Sequence, residues 1–166
     1  WYSDIFLGKL IKEFGRENLF VTNKVYFENG YSCSKAGLSK KHIIQTVDGS
    51  LKAMKTSYLD CLVLHRFDVN TPIEESLGAI ELLYREGKIR SWGISAFSIE
   101  QLLDYYHCSQ KFIIGGLKIV QYAYNLFNRS IEKELNSILY NKEIVVFAYY
   151  PLAQGVLTGK YCKGIK

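Results

Sequence analysis

Over some stretches of the chain apolar residues recur every three or four positions, over others they crowd into short runs, and the two patterns alternate. Ile5, Leu7, Leu10, Ile11 and Phe14 read as one face of a helix that stops near Gly15. A strand is expected around Leu19 to Lys24, then a loop bearing Gly and Ser from Glu28 to Leu38. Ser39 is placed to cap the next helix, whose Ile43, Ile44, Val47, Leu51 and Met54 share a face and which ends near Thr56. Leu59 to His65 predicts a strand. The loop Arg66 to Asn70 leads to Thr71 as N-cap and Pro72 as first helical residue, with Glu74 and Glu75 complementing the helix dipole. That helix runs through Leu77, Ile80, Leu82, Leu83 and Tyr84 to Gly87. Next come a strand from Ile89 to Ser95, a Ser98-capped helix with Leu102, Leu103 and Tyr106, and a strand from Leu117 to Tyr124. A helix from Ser130, with Ile131, Leu135, Ile138 and Leu139, precedes a last strand, Ile144 to Tyr149.

Strands alternating with helices imply right-handed βαβ units on one parallel sheet, and no linker divides them, so the chain reads as one α/β domain. Runs such as Ile-Val-Val-Phe fit strands covered on both faces. The strand runs end at Lys24, His65, Ser95, Gln121 and Tyr149. In a parallel sheet these endings share the carboxyl edge, where α/β folds place their chemistry. A doubly wound sheet and a slice of a (β/α)8 barrel both satisfy the periodicity. The glycine-rich turn of a dinucleotide-binding doubly wound sheet is absent, since Gly115-Gly116 precedes a strand and opens no helix, and this tilts the choice toward the barrel.

Composition adds exclusions more than assignments. At 166 residues, 48% apolar and 22% charged, the chain has the mixture of a globular domain with a core. The net charge of +5 is spread along the helices without a basic tail, which argues against nucleic acid and leaves a mild field for anions. Cys33, Cys61, Cys108 and Cys162 have no ligand spacing with His42, His65 or His107, so no metal site is expected, and unpatterned cysteines suggest a reducing, cytoplasmic setting. No run is long enough for a membrane span, so membrane insertion is not expected. Without an initiator Met, and with Ser3-Asp4 opening directly onto a helical pattern, the chain reads as a fragment that begins in mid-domain.

Taken singly, the strand endings have ordinary explanations. A strand-end Lys reaches solvent, a strand-end His is commonly just hydrogen-bonded, and Tyr149 and Tyr150 fit core aromatics with satisfied hydroxyls. Convergence raises their standing, because a barrel brings every strand end to one mouth. After the last strand, Tyr150-Pro151-Leu152-Ala153-Gln154-Gly155 offers backbone N–H groups for a phosphate, with Lys160 supplying charge.

Several ordered motifs together resemble the aldo-keto reductases, with the nearest likeness to the branch that contains the potassium-channel β subunits. They are Val-Thr-Asn-Lys24, Leu38 to Ile44, Tyr58 to His65, Asn70 to Glu75, Gly87 to Ser95 and Pro151 to Gly155. The resemblance covers essentially the whole chain. It implies strands three to seven of a (β/α)8 barrel, an oxidoreductase domain spanning 1–166 but incomplete at both ends, NADPH as cofactor and small aldehydes or ketones as substrates. Of the family's Asp, Tyr, Lys and His, it assigns the Lys to Lys24 and the His to His65. In that scheme a Tyr protonates the growing oxyanion, a nearby ammonium lowers its pKa, and the imidazole polarises the carbonyl. Ser95 and Gln121 resemble the residues that hold the carboxamide, and Tyr149 the aromatic that stacks on the nicotinamide. Leu152, Gln154 and Lys160 resemble the pyrophosphate loop, and the resemblance adds Tyr150 and Pro151 to the cofactor-binding residues.

Two departures stand out. Ala96 has no polar side chain where the family commonly has Asn, or Arg in the channel subunits, and the Asp and Tyr are expected upstream of Trp1. Tyr2 falls about one helical turn too late to be the donor. The alternatives to a reductase are a cofactor-binding regulatory subunit on a channel cytoplasmic domain and an inactive truncated product, with a homo-oligomer open in each case. Alone, the chain is expected not to turn over, since five strands cannot close an eight-stranded barrel.

Overall fold

A computed structural model describes residues 2–32, 36–132 and 144–162 of the chain. Helix α1 (Tyr2–Phe14) is followed by a 3-10 turn at Arg16–Asn18 and by β1 (Thr22–Val25), α2 (Lys40–Met54), β2 (Cys61–Leu64), α3 (Ile73–Arg85), β3 (Trp92–Ser95), α4 (Ile99–Ser109), β4 (Leu117–Ala123) and β5 (Val145–Tyr149). A second 3-10 segment, Ala153–Thr158, follows β5. Leu135, Ile138 and Leu139 of the expected helix after Ser130, together with Cys33, lie outside the described residues.

The five strands pair in chain order, β1-β2-β3-β4-β5, and every pairing is parallel. A doubly wound sheet reverses its strand order at a switch point, so an unreversed order settles the alternative left by periodicity in favour of barrel-type winding. Consecutive helices pack on one another, α1 on α2, α2 on α3 and α3 on α4.

Period-2 alternation then assigns the two faces. Val25, Leu62, Leu64, Trp92, Ile94, Leu117 and Val120 join Ile43, Val47, Leu51, Met54, Leu77, Ile80, Leu83, Leu102 and Tyr105 in the main core between sheet and helices. Cys61, Val63 and Ile119 form a separate cluster on the opposite, concave face. Gly93 lets β3 approach β4 there: a Cβ would stand 2.5 Å from the Ile119 carbonyl oxygen, beside the bulge where pairing steps from Trp92–Leu117 to Gly93–Ile119.

The expectation of strands covered on both faces is met by β2 and β3, whose residues are all buried. It fails for β5, where Val145 is 53% and Phe147 38% exposed. The physical reason is position: β5 is an edge strand of the described sheet, paired with β4 on one side only.

Local signals explain the element boundaries. Ser39 accepts from the His42 N–H, and Ser98 with Gln101 forms a full capping box. Gly15, at φ 82, ends α1 while its N–H still reaches the Ile11 carbonyl. Thr71 is not the cap of α3. Pro72 takes that place, one residue later than expected, and the Thr71 hydroxyl donates to Asp68 at 2.7 Å. Asp68 also accepts from the N–H groups of Leu38 and Asn70, at 2.8 and 2.9 Å, so it joins the loops after β1 and β2. Burial pushes the Asp68 carboxyl up, yet the bonds from Thr71, Leu38 and Asn70 outweigh it and hold the pKa below its ordinary value.

Candidate functional site

On each strand, the residue expected at the site alternates with one in the main core. Lys24 precedes core Val25, His65 follows core Leu64, Ser95 follows Ile94 and Gln121 follows Val120. Tyr149 stands two and four residues beyond Phe147 and Val145, the exposed concave-face positions of β5. All five endings therefore face the concave side at the carboxyl edge. They line one cleft of about 410 Å3, together with Arg66, Ala96 and Tyr150.

Lys24 lies on β1, and His65 directly follows the adjacent β2. The His65 imidazole meets the edge of Phe27, with ring centroids 5.2 Å apart and planes at 88°. Its pKa is lowered, first by burial and then by the positive charges of Lys24 and Arg66, so the ring is neutral near pH 7 with one N–H donor and one acceptor nitrogen. Ser95 and Gln121 are register partners, 3% and 9% exposed. Among the described residues neither side chain has a hydrogen-bond partner, although both reach the cleft wall. A hydroxyl beside a primary amide, buried at the root and open at the tip, offers donors and acceptors suited to a planar carboxamide. Tyr149 adds an aromatic wall, held edge-to-face against Tyr150 at 5.4 Å. That array fits a nicotinamide.

The loop after β5 fits a phosphate less completely. Ala153, Gly155 and Leu157 spend their N–H groups on the carbonyls of Tyr150 and Leu152. Left-handed backbone at Ala153, Gln154 and Gly155 nevertheless curls the segment tightly. Lys160 lies across Gly155, since a Cβ there would stand 2.6 Å from its Nζ. A lysine charge thus sits over a compact turn. Pro151 lines a neighbouring hollow with Tyr124, Asn125 and Arg129, and Leu152, Gln154 and Lys160 stand in the turn outside the cleft wall. Tyr2, 90% exposed at the start of α1, is not a cleft residue.

Sequence reasoning missed two contributions. Arg66 directly follows a strand ending and reads as the first residue of a loop, yet it lines the cleft with its guanidinium 5.6 Å from the centroid of the Phe27 ring. The second is what steadies the loops. Phe67, Phe97 and Tyr105 meet edge-to-face at 5.2 to 6.2 Å, which anchors the segments carrying Arg66 and Ala96 to α4. Ala96 holds a left-handed φ of 55 while its N–H bonds the Gln121 carbonyl. Strain of this kind is tolerated where surrounding contacts fix the backbone. The described residues include no cluster of side chains able to hold a metal and no helix long and apolar enough to cross a membrane.

The family model for the aldo/keto reductase family matches residues 1–166. The chain belongs to the aldo/keto reductase family, and a parallel α/β sheet wound in barrel order is the structure that membership requires. It is similar to an Arabidopsis thaliana protein named "Probable voltage-gated potassium channel subunit beta", with 35% identity over 161 residues, 95% of this chain and 49% of the relative. It is 33% identical over 161 residues to an Oryza sativa subsp. japonica protein of the same name, with the same coverage. The chain spans about half the length of these relatives.

Proposed function

We propose that the chain supplies the nicotinamide-binding and carbonyl-polarising part of an NADPH-dependent carbonyl reductase, corresponding to strands three to seven of the barrel. The observation that carries this reading is the order of groups along one edge: cation, imidazole, hydroxyl, amide, aromatic, on five adjacent strands. Ser95 and Gln121 would hold the carboxamide, Tyr149 the ring face, and Leu152, Gln154 and Lys160 with Tyr150 and Pro151 the phosphates. NADPH, when bound, supplies the hydride. Neutral His65 donates an N–H to the substrate carbonyl oxygen and draws electron density toward it. Lys24 sets a positive charge beside the same oxygen, which favours the developing negative charge and lowers the pKa of a neighbouring phenol donor.

The test is NADPH oxidation against a panel of aldehydes and ketones by the whole protein carrying these residues. Loss of at least about a hundredfold in kcat with Lys24→Met or His65→Phe, each with NADPH still bound, agrees with the assignment. No oxidation with any carbonyl compound rejects it.

A regulatory reading draws on the names of the two plant relatives, which describe channel β subunits. In that case the cleft senses the nicotinamide nucleotide and the protein docks on a channel cytoplasmic domain in the cytoplasm. Co-purification with that domain supports it; turnover without any channel contact decides for the enzyme.

A further inference from the structure

Of the five arginines in the sequence, four are matched with carboxylates: Arg16 with Asp60, Arg85 with Glu81, Arg90 with Asp60 and Arg129 with Glu132. Arg66 alone has no carboxylate partner among the described residues, and it is the arginine that lines the cleft. None of the described residues lining the cleft is Asp or Glu. Its guanidinium lies over Phe27, whose edge packs on the His65 ring, so the charge is held one aromatic ring away from the carbonyl-polarising imidazole. Asp68 and the Phe67–Phe97–Tyr105 contacts fix the loop on which it stands.

We infer that Arg66 is a specificity-determining residue and that it makes this cleft take carbonyl compounds carrying a carboxylate a few bonds from the carbonyl. The inference rests on the reductase reading for the position of the carbonyl. Arg66 follows β2 and lines the cleft, whereas Lys160, the cation of the phosphate turn after β5, stands outside the cleft wall. Lys24 is committed to the oxygen that gains charge, which leaves Arg66 as the fork for an anionic substituent. Guanidinium matches carboxylate bidentately, and among the described lining residues no acid competes for Arg66.

The experiment compares 4-oxopentanoate with its neutral analogue 2-pentanone, by calorimetric titration of the full chain without cofactor, at low and high salt. The expected result is a preference of about tenfold or more for the oxo acid, weakened by salt, as one charge-assisted hydrogen-bond pair supplies. In Arg66→Gln the ratio falls to near one, and Arg66→Lys restores part of it. Equal affinities in the wild type, or a ratio kept in Arg66→Gln, overturns the inference. NADPH binding is titrated separately. Its failure would reject the reductase reading, whereas the ratio between the two ketones bears on Arg66 alone.

Discussion

Replacing Asp60 by alanine removes the carboxylate that ties the amino end of β1 to the start of β2. Its Oδ2 accepts from Arg16 Nη2 at 2.7 Å and from the Val21 N–H at 2.8 Å, and both side chains of the ion pair are nearly buried, at 13% and 11% exposure. Arg16 is further committed to the carbonyls of Leu19 and Tyr58 and to Thr56, and it stacks on one ring, Tyr58, which Arg90 also covers, each guanidinium 3.8 Å from the centroid. It cannot swing out to water without losing these contacts. Breaking a buried pair by removing one partner costs about 3–5 kcal/mol, and an orphaned buried N–H about 1–3 kcal/mol, with some overlap between the two. We expect Asp60→Ala to lose about 4 kcal/mol. Asp60→Asn, which keeps an oxygen for Val21, should lose about 2 kcal/mol. Arg85→Ala is the control: its i,i+4 pair with Glu81 leaves Arg85 58% exposed, and the loss should stay below about 0.5 kcal/mol. Urea unfolding followed by fluorescence of the fully buried Trp92 measures all three. An Asp60→Ala variant no less stable than Arg85→Ala would show that the buried pair does not anchor β1, and with it Lys24, to the sheet.

Other outcomes follow from the same contacts. Gly93→Ala should cost about 1–3 kcal/mol in urea unfolding, because its methyl meets the Ile119 backbone; an unchanged midpoint would mean that β3 and β4 can separate there. Ala96→Gly should raise the melting temperature modestly by relieving the left-handed φ, a gain of up to about 1 kcal/mol; a lower melting temperature would contradict the strain. Fully buried His42 has its pKa lowered, first by burial, so the unfolded chain binds the proton more readily. Stability is then greatest above about pH 6.5 and declines as the pH falls below it; His42→Phe should flatten that slope, and an equally steep slope in the variant would assign it elsewhere.

Much of this architecture is written in local pattern. Ser39 and Ser98 cap where their spacing to the apolar faces puts them, and the strand endings at Lys24, His65, Ser95 and Gln121 share a face because each neighbours a core residue of its own strand. What stayed hidden depends on contacts distant in sequence. Thr71 looks like a cap until Asp68 takes its hydroxyl, a choice made by the approach of Leu38. Gly93 looks incidental until β4 lies beside it. Arg66 looks like the first residue of a loop, and only its place on the cleft wall, with no acid among the described lining residues, gives its charge a direction. The exposure of Val145 and Phe147 is likewise a property of the sheet edge, since the run Ile-Val-Val-Phe reads the same at an edge as in the middle.

The central claim is that the concave edge of this sheet holds a nicotinamide through Ser95 and Gln121. Titration of the full chain with NADPH, read by the change in nucleotide fluorescence, tests it most directly. Saturable binding is predicted, weakened about tenfold or more in the double variant Ser95→Ala, Gln121→Leu, which removes both polar tips. Binding that is equally tight in that variant, or no saturable binding by the wild-type chain, would contradict the account.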